Sequence, residues 1–385
     1  MTLRIASLLA LLLATPAHAT SPLAVDPYPR DDLLHANDIW SIGTHNSYHL
    51  RSPLYPKGPP APYDYEHTPL DVQLSGQGVR KFELDVYWDD EGGFFRVHHL
   101  NFFDQASNCE TLMLCLETVR DWSLGHRGHQ PIFLFIEPKG LYFASNPMAI
   151  SDEPICDRPD HVICHYDELD AEIRSVLAPQ GGPDLLVTPD EVRGAHPTLR
   201  EAVLQDGWPT LRQTRSRFVA VMLDEDGGAD RDNYTQDHAS LEGRAMFVTS
   251  SEGRDDAAVM KVDGPVSGFD RIQDLVALGY VIRTRADDLS DAQANDTTTR
   301  DAALASGAQI ISTDYPVPEI LNNGYFAAIP GGTPSGCNPI TTLGIECAPE
   351  DIENPAVVPE PGAFTLASIA IAVLALLGRS KHAVC

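Results

Sequence analysis

Four short stretches of the chain end in clustered polar residues: Gly43-Thr44-His45-Asn46-Ser47-Tyr48-His49, Glu83-Leu84-Asp85, Val97-His98-His99 and Ile136-Glu137-Pro138-Lys139. Each belongs to an apolar run short enough for a strand buried on both faces. Glu83 and Asp85 stand two apart, so on a strand both carboxylates face one side. Three carboxylates brought to one place repel each other by roughly 3 kcal/mol per pair at about 5 Å and an effective dielectric of about 20, so something positive has to hold them together. Oxygen donors from Asn46, Glu83, Asp85 and Glu137 suit a hard cation, and an open site of irregular shape favours Ca2+ over Mg2+. His45 and the pair His98-His99 are then available for proton transfer or for binding a charged oxygen.

The elements that have to gather these residues are eight apolar runs, at 39–43, 79–86, 94–99, 131–137, 218–223, 245–249, 280–284 and 308–312. Helical patterns lie between several of them, at 111–124, 167–177, 269–278 and 291–306. This interleaving fits a closed barrel better than an open doubly wound sheet. The expectation is an α/β chain folded as an irregular (β/α)8 TIM barrel over 20–322, with short crossovers and a further strand candidate at 184–187. Reactive groups in such a barrel collect at the carboxyl ends of strands, where the four stretches fall.

Taken in order, Gly43-Thr44-His45-Asn46-Ser47-Tyr48, Gly78-Val79-Arg80-Lys81-Phe82-Glu83-Leu84-Asp85-Val86, Val97-His98-His99 and the block from Pro131 through Glu137-Pro138-Lys139 resemble the catalytic core of Ca2+-dependent phosphoinositide phospholipase C, in its secreted bacterial branch. The resemblance runs from about residue 39 to 316 and is strongest in the first hundred of these. It implies Asn46, Glu83, Asp85 and Glu137 as Ca2+ ligands and His45 as the group that stabilises transition-state charge. His99 rather than His98 is implied as the acid that protonates the departing diacylglycerol oxygen. The nucleophile would be the substrate's own inositol 2-hydroxyl, deprotonated by Glu83 or Glu137, and the product a cyclic inositol phosphate. By position, Lys139 is a candidate for a phosphate oxygen, and Arg283, Arg285 and Asp314-Tyr315 are candidates for the head group.

Other readings stand beside these. Glu83 and Asp85 also fit structural ion pairs with Arg80 or Lys81, and His49 and His67 fit loop structure. His126-Arg127-Gly128 is reminiscent of glycerophosphodiester phosphodiesterases but falls in a turn before a strand. Asp224-Glu225-Asp226-Gly227 reads as a solvated acidic turn. The alternatives for the whole protein are a glycerophosphodiesterase-like enzyme on another head group and a non-catalytic matrix-binding protein on the same barrel.

The chain holds 27 Lys plus Arg against 55 Asp plus Glu, a formal charge of -28. This argues against a nucleic-acid partner and against adsorption to anionic membranes by charge. Without a basic patch, lipid docking would fall to Tyr55, Tyr63, Tyr65, Phe94, Phe95, Phe102 and Phe103, and a soluble or glycan-linked phosphodiester is an alternative to lipid. Residues 1–19 read as a secretory signal. Residues 358–385, with Pro359-Glu360-Pro361, an apolar stretch and a short basic tail, resemble the PEP-CTERM sorting signal of Gram-negative bacteria. That resemblance implies a transient inner-membrane anchor, cleavage by an exosortase, and delivery to the periplasm, outer surface or extracellular matrix. Residues 323–357 read as a Gly/Pro-rich linker. The close pairs Cys109 and Cys115, Cys156 and Cys164, Cys337 and Cys347 predict three local disulfides in an oxidising compartment.

Overall fold

The computed structural model describes residues 26–51, 65–101, 104–139, 164–223 and 229–355. The segments read as a signal and a sorting tail, the acidic stretch 224–227, Cys156 and the aromatics Tyr55, Tyr63, Phe102 and Phe103 lie outside the described residues. Among the described residues no helix is long and apolar enough to cross a membrane.

Among the described residues eleven strands form one curled sheet: β1 Ile39–Thr44, β2 Val79–Asp89, β3 Phe94–Val97, β4 Ile132–Pro138, β5 Leu186–Val187, β6 Phe218–Met222, β7 Phe247–Val248, β8 Val259–Lys261, β9 Val281–Arg285, β10 Ile310–Thr313 and β11 Ser335–Cys337. Nine of these have a parallel neighbour; β5 lies beside β6, and the other eight complete a circuit. The order β8-β9-β10-β1-β2-β4-β6-β7 is closed by a parallel bridge between Thr249 and Val259, so the sheet meets itself as a barrel. The α/β TIM-barrel expectation holds. The even positions of β2, Phe82, Leu84 and Val86, join the apolar core shared with the helices Leu112–Gly125 and Tyr166–Leu177, while Lys81, Glu83 and Asp85 take the other face. That division makes one strand both a wall of the core and a rail for charged groups.

Three expectations are corrected. The run at 94–99 is not a barrel strand: β3 pairs antiparallel with β2, Val97 opposite Val86. Only four residues separate the two strands, with Gly93 at φ 67°, and a parallel crossover needs a dozen or more residues. The barrel position goes instead to β8, three residues that the sequence reading passed over. The helix expected over 291–306 is two, Leu289–Ala294 and Thr298–Ala305, divided at Asn295 in the left-handed region. The segment read as a linker is part of the body as far as it is described. β11 pairs antiparallel with β1, and Glu353 is buried against Arg80, with Arg80 Nε donating to Glu353 Oε2 at 2.9 Å.

Disulfides join Cys109 to Cys115 and Cys337 to Cys347. Cys164 is disulfide-bonded as well.

Candidate active site

β2 and β4 lie side by side in a register that sets Asp85 opposite Glu137 and Glu83 opposite Phe135. β1 delivers His45 and Asn46 directly after Thr44, and the His45 amide bonds to the Thr313 carbonyl at 3.0 Å, which ties this turn to β10. Asn46 sits at φ 43°, a conformation that asparagine tolerates better than most residues. Gly43 is required by its neighbour: a Cβ there would collide with the Lys81 side chain. Lys81 passes that gap to reach the Thr44 carbonyl at 3.1 Å, Ser312 Oγ at 3.2 Å and Glu83 Oε2 at 2.5 Å.

Glu83 is fully enclosed and faces three positive or protonatable groups: Lys81, Arg283 Nη2 at 3.0 Å and His45 Nε2 at 3.5 Å. Burial would raise its pKa, but Lys81 and Arg283 outweigh it and hold the carboxyl well below the usual range. Burial likewise brings the Lys81 ammonium down to about 8 against the pull of Glu83. His45 is half-buried, its Nδ1 2.8 Å from Asp314 Oδ1, with Arg285 Nη2 3.2 Å from the other oxygen of Asp314. His67, kept neutral at about 4 by burial, places Nε2 3.0 Å from the His45 carbonyl and donates to it.

Asp85 differs from Glu83. Both its carboxylate oxygens are buried and neither accepts a hydrogen bond, and Lys139 Nζ stands 3.5 Å from Oδ2. Burial raises its pKa, and burial together with the Asp85 charge pushes Glu137 up to about 7. Lys139 also pairs with Glu137. The nearest donors to this buried carboxylate, Lys139 Nζ at 3.5 Å and the Tyr48 hydroxyl, stand outside good hydrogen-bond geometry, which leaves its oxygens open to a further cation. The donor set of Asp85, Glu83, Glu137 and the Asn46 amide is all oxygen and suits Ca2+, so the residues present fit that ion. The three carboxylates share the mouth without closing on one point. Among the described residues the tight group of His, Asp and Glu ligand atoms, all within 4.8 Å of one another, is His49, His99 and Asp104.

His99 reaches the mouth from the β2–β3 hairpin. Its Nδ1 lies 2.9 Å from Asp104 Oδ2. His98, one residue earlier, is turned to Asn101 and stacks on Tyr87 at 4.2 Å between centroids, as alternation along an extended segment requires.

The sequence-predicted head-group residues divide. Arg285 lines a cleft of about 370 Å³ together with His45, Asn46, Tyr65, Asp287 and Asp314. Arg283 is buried and committed to Glu83 and Asp263. Lys139, expected at a phosphate oxygen, has its ammonium against Glu137 and Asp85. Tyr315 is buried among Tyr65 and Tyr325 rather than lining the cleft. Tyr65 and Phe95, named as docking aromatics, are also buried. His126 stacks on Trp122 in the turn before β4, at the opposite end of that strand from Glu137. The sequence reading missed His49 and Asp104 as neighbours of His99, and Lys81 as a group inside the site rather than a rival explanation of it. A signal for Lys81 was present, since it stands two before Glu83 on the same face.

No curated protein matches the chain. Among solved structures, it is similar to a calcium-dependent phosphoinositol-specific phospholipase C from the Gram-negative bacterium Pseudomonas sp., at 16% identity over 81% of this chain and 98% of that one, TM-score 0.51. The same values hold for that enzyme's myo-inositol complex. A Ca2+-dependent phosphatidylinositol-specific phospholipase C from Streptomyces antibioticus is 20% identical over 75% of this chain and 98% of its own, TM-score 0.50. These likenesses show the fold. A family model, "Phosphoinositide phospholipase C, Ca2+-dependent", matches residues 34–97 and 94–339, well over half of the sequence. The chain therefore belongs to the Ca2+-dependent phosphoinositide phospholipase C family, a phosphodiester-cleaving enzyme with Ca2+ as its cofactor.

Proposed function

We propose that the protein cleaves phosphatidylinositol-type lipids into diacylglycerol and a cyclic inositol phosphate, with Asn46, Glu83, Asp85 and Glu137 holding the Ca2+, His45 stabilising charge on the phosphoryl group and His99 acting as general acid. The observation that carries this reading is Asp85, buried with neither oxygen accepting a close hydrogen bond at a mouth that also receives His45 and Glu137. When bound, Ca2+ would make the inositol 2-hydroxyl more acidic and offset charge on the phosphoryl oxygens. Glu83 or Glu137 takes the 2-hydroxyl proton. The bond from the 2-oxygen to phosphorus forms, the bond to the diacylglycerol oxygen breaks, and His99 returns a proton to that oxygen. His45 is held by Asp314 and Glu83 so that its ring faces charge that develops only during transfer, where preorganised groups act most strongly. Arg285 and the cleft beside His45 would receive the inositol ring. Lys139 balances the charge of Asp85 and Glu137, and Arg283 orients Glu83.

The family and the disulfides support an exported enzyme. We further propose an inner-membrane stage ended by an exosortase at the C-terminal signal, with residues 1–19 removed as a signal peptide and the body beginning near residue 20. The test of the catalytic assignment is His45→Ala and His99→Ala. Each should lower turnover by about 10²–10⁴ while Ca2+ still raises the melting temperature. Unchanged turnover in either variant would reject that residue's role.

A further inference from the structure

His99 does not stand alone at the mouth. Asp104 Oδ2 receives two ring nitrogens, His49 Nε2 at 2.8 Å and His99 Nδ1 at 2.9 Å. Asp104 and His49 have no exposed surface, and the His99 side chain keeps 10% of its own. An ionised carboxylate can only accept, so both nitrogens carry hydrogens, and His99 Nε2 is the nitrogen that exchanges a proton with substrate. Burial opposes ionisation of Asp104, but the hydrogen bonds from His49 and His99 outweigh it and keep its pKa below the usual value. The backbone fixes the same geometry. His99 and Leu100 amides bond to the Asp104 carbonyl at 3.2 and 3.0 Å, and the Tyr87 hydroxyl donates to the His99 carbonyl at 2.7 Å.

We propose that Asp104 is a positioning residue that aims His99 Nε2 at the leaving-group oxygen and stabilises the imidazolium, with His49 as the second donor fixing that carboxylate. The inference rests on His99 being the general acid. Its geometry is that of a carboxylate orienting an imidazole through the nitrogen remote from the reaction. The two rings aim at one oxygen rather than at a common point beyond it, which favours hydrogen bonding over an ion held by the three groups.

Leaving-group dependence tests it. Diacylglycerol departs as an alkoxide and needs a proton, whereas an inositol phosphate ester of 4-nitrophenol releases an anion that does not. Asp104→Asn should lower kcat on phosphatidylinositol about 100-fold and on the aryl ester less than about fivefold, with KM little changed on both. Equal losses on the two substrates, or a loss confined to KM, would overturn the proposal. His99→Ala, run beside it, separates the two claims. If His99→Ala slows both substrates equally, the general-acid reading has failed; if it separates them and Asp104→Asn does not, only the role of Asp104 has failed. Should Asp104→Asn not fold, nitrogen-15 NMR of the histidine-labelled wild type decides. Neutral His99 protonated at Nδ1 supports the proposal, and the Nε2 tautomer overturns it. One equivalent of zinc retained after dialysis against Ca2+ would overturn it as well.

Discussion

The ammonium of Lys139 stands 3.5 Å from Asp85 Oδ2 and also engages Glu137, so two of the four proposed Ca2+ ligands are drawn to a cation supplied by the chain. The attraction of Asp85 and Glu137 holds the Lys139 pKa above its ordinary value against burial. Lys139 therefore competes with the metal for these oxygens. Lys139→Met should tighten Ca2+ binding about tenfold, near 1.4 kcal/mol, in a calorimetric titration. An unchanged or weaker affinity would remove Lys139 from the cation site.

Glu83 is the opposite case, since its charge is already met by Lys81 and Arg283 in an enclosed setting. Glu83→Gln leaves those two cations facing a neutral amide. Removing one partner of a buried pair costs roughly 3–5 kcal/mol, so denaturant unfolding of the metal-free variant should show a loss of that size together with a smaller Ca2+-induced gain. A variant as stable as wild type, with an equal response to Ca2+, would contradict the assignment of Glu83 as both ligand and ion-pair partner.

Burial and the adjacent Asp314 charge push the Asp287 carboxyl up from 3.8 to about 7. Across that window the folded chain keeps a proton that the unfolded chain has lost. Its contribution to stability is thus complete below about pH 4 and lost as pH rises to about 7. Asp287→Asn stays neutral throughout. The melting temperature of the variant relative to wild type should therefore increase from pH 5 to pH 8, and a difference independent of pH would show that Asp287 does not titrate in this range.

The segment beyond β10 is tied to the barrel by an ion pair between Glu353 and Arg80, both fully or nearly fully buried. Arg80 also donates to the carbonyls of Leu74 and Val79 at 2.7 and 2.9 Å, so it cannot simply withdraw. Glu353→Ala should cost roughly 3–5 kcal/mol in unfolding free energy. A loss under about 0.5 kcal/mol, the size expected of an exposed substitution, would return this segment to the status of a linker.

Much of this was legible in the residues because strand ends announce themselves. Apolar runs closing on His45-Asn46, Glu83-Leu84-Asp85 and Glu137 gave the barrel, and the two-residue spacing gave the shared face. What the sequence concealed was pairing at a distance. Nothing local says that Asp104, five residues after His99, accepts from His49 as well, or that Arg283 belongs to Glu83 across the barrel. β8 escaped because its apolar run from Ala257 to Val262 is short and broken by Lys261, too little to carry a periodicity. The hairpin of β2 and β3 was readable from its loop length, and the eight-run count obscured it. Glu353 gave no sign of its partner because an ion pair spanning most of the chain leaves no spacing to detect.

The most direct measurement of the central claim is phosphorus NMR of phosphatidylinositol turned over by the mature protein, once with Ca2+ and once with EGTA. A cyclic inositol phosphate signal should grow with Ca2+ and be absent with EGTA. Equal turnover in the two tubes, or a product that is never cyclic, would contradict that claim.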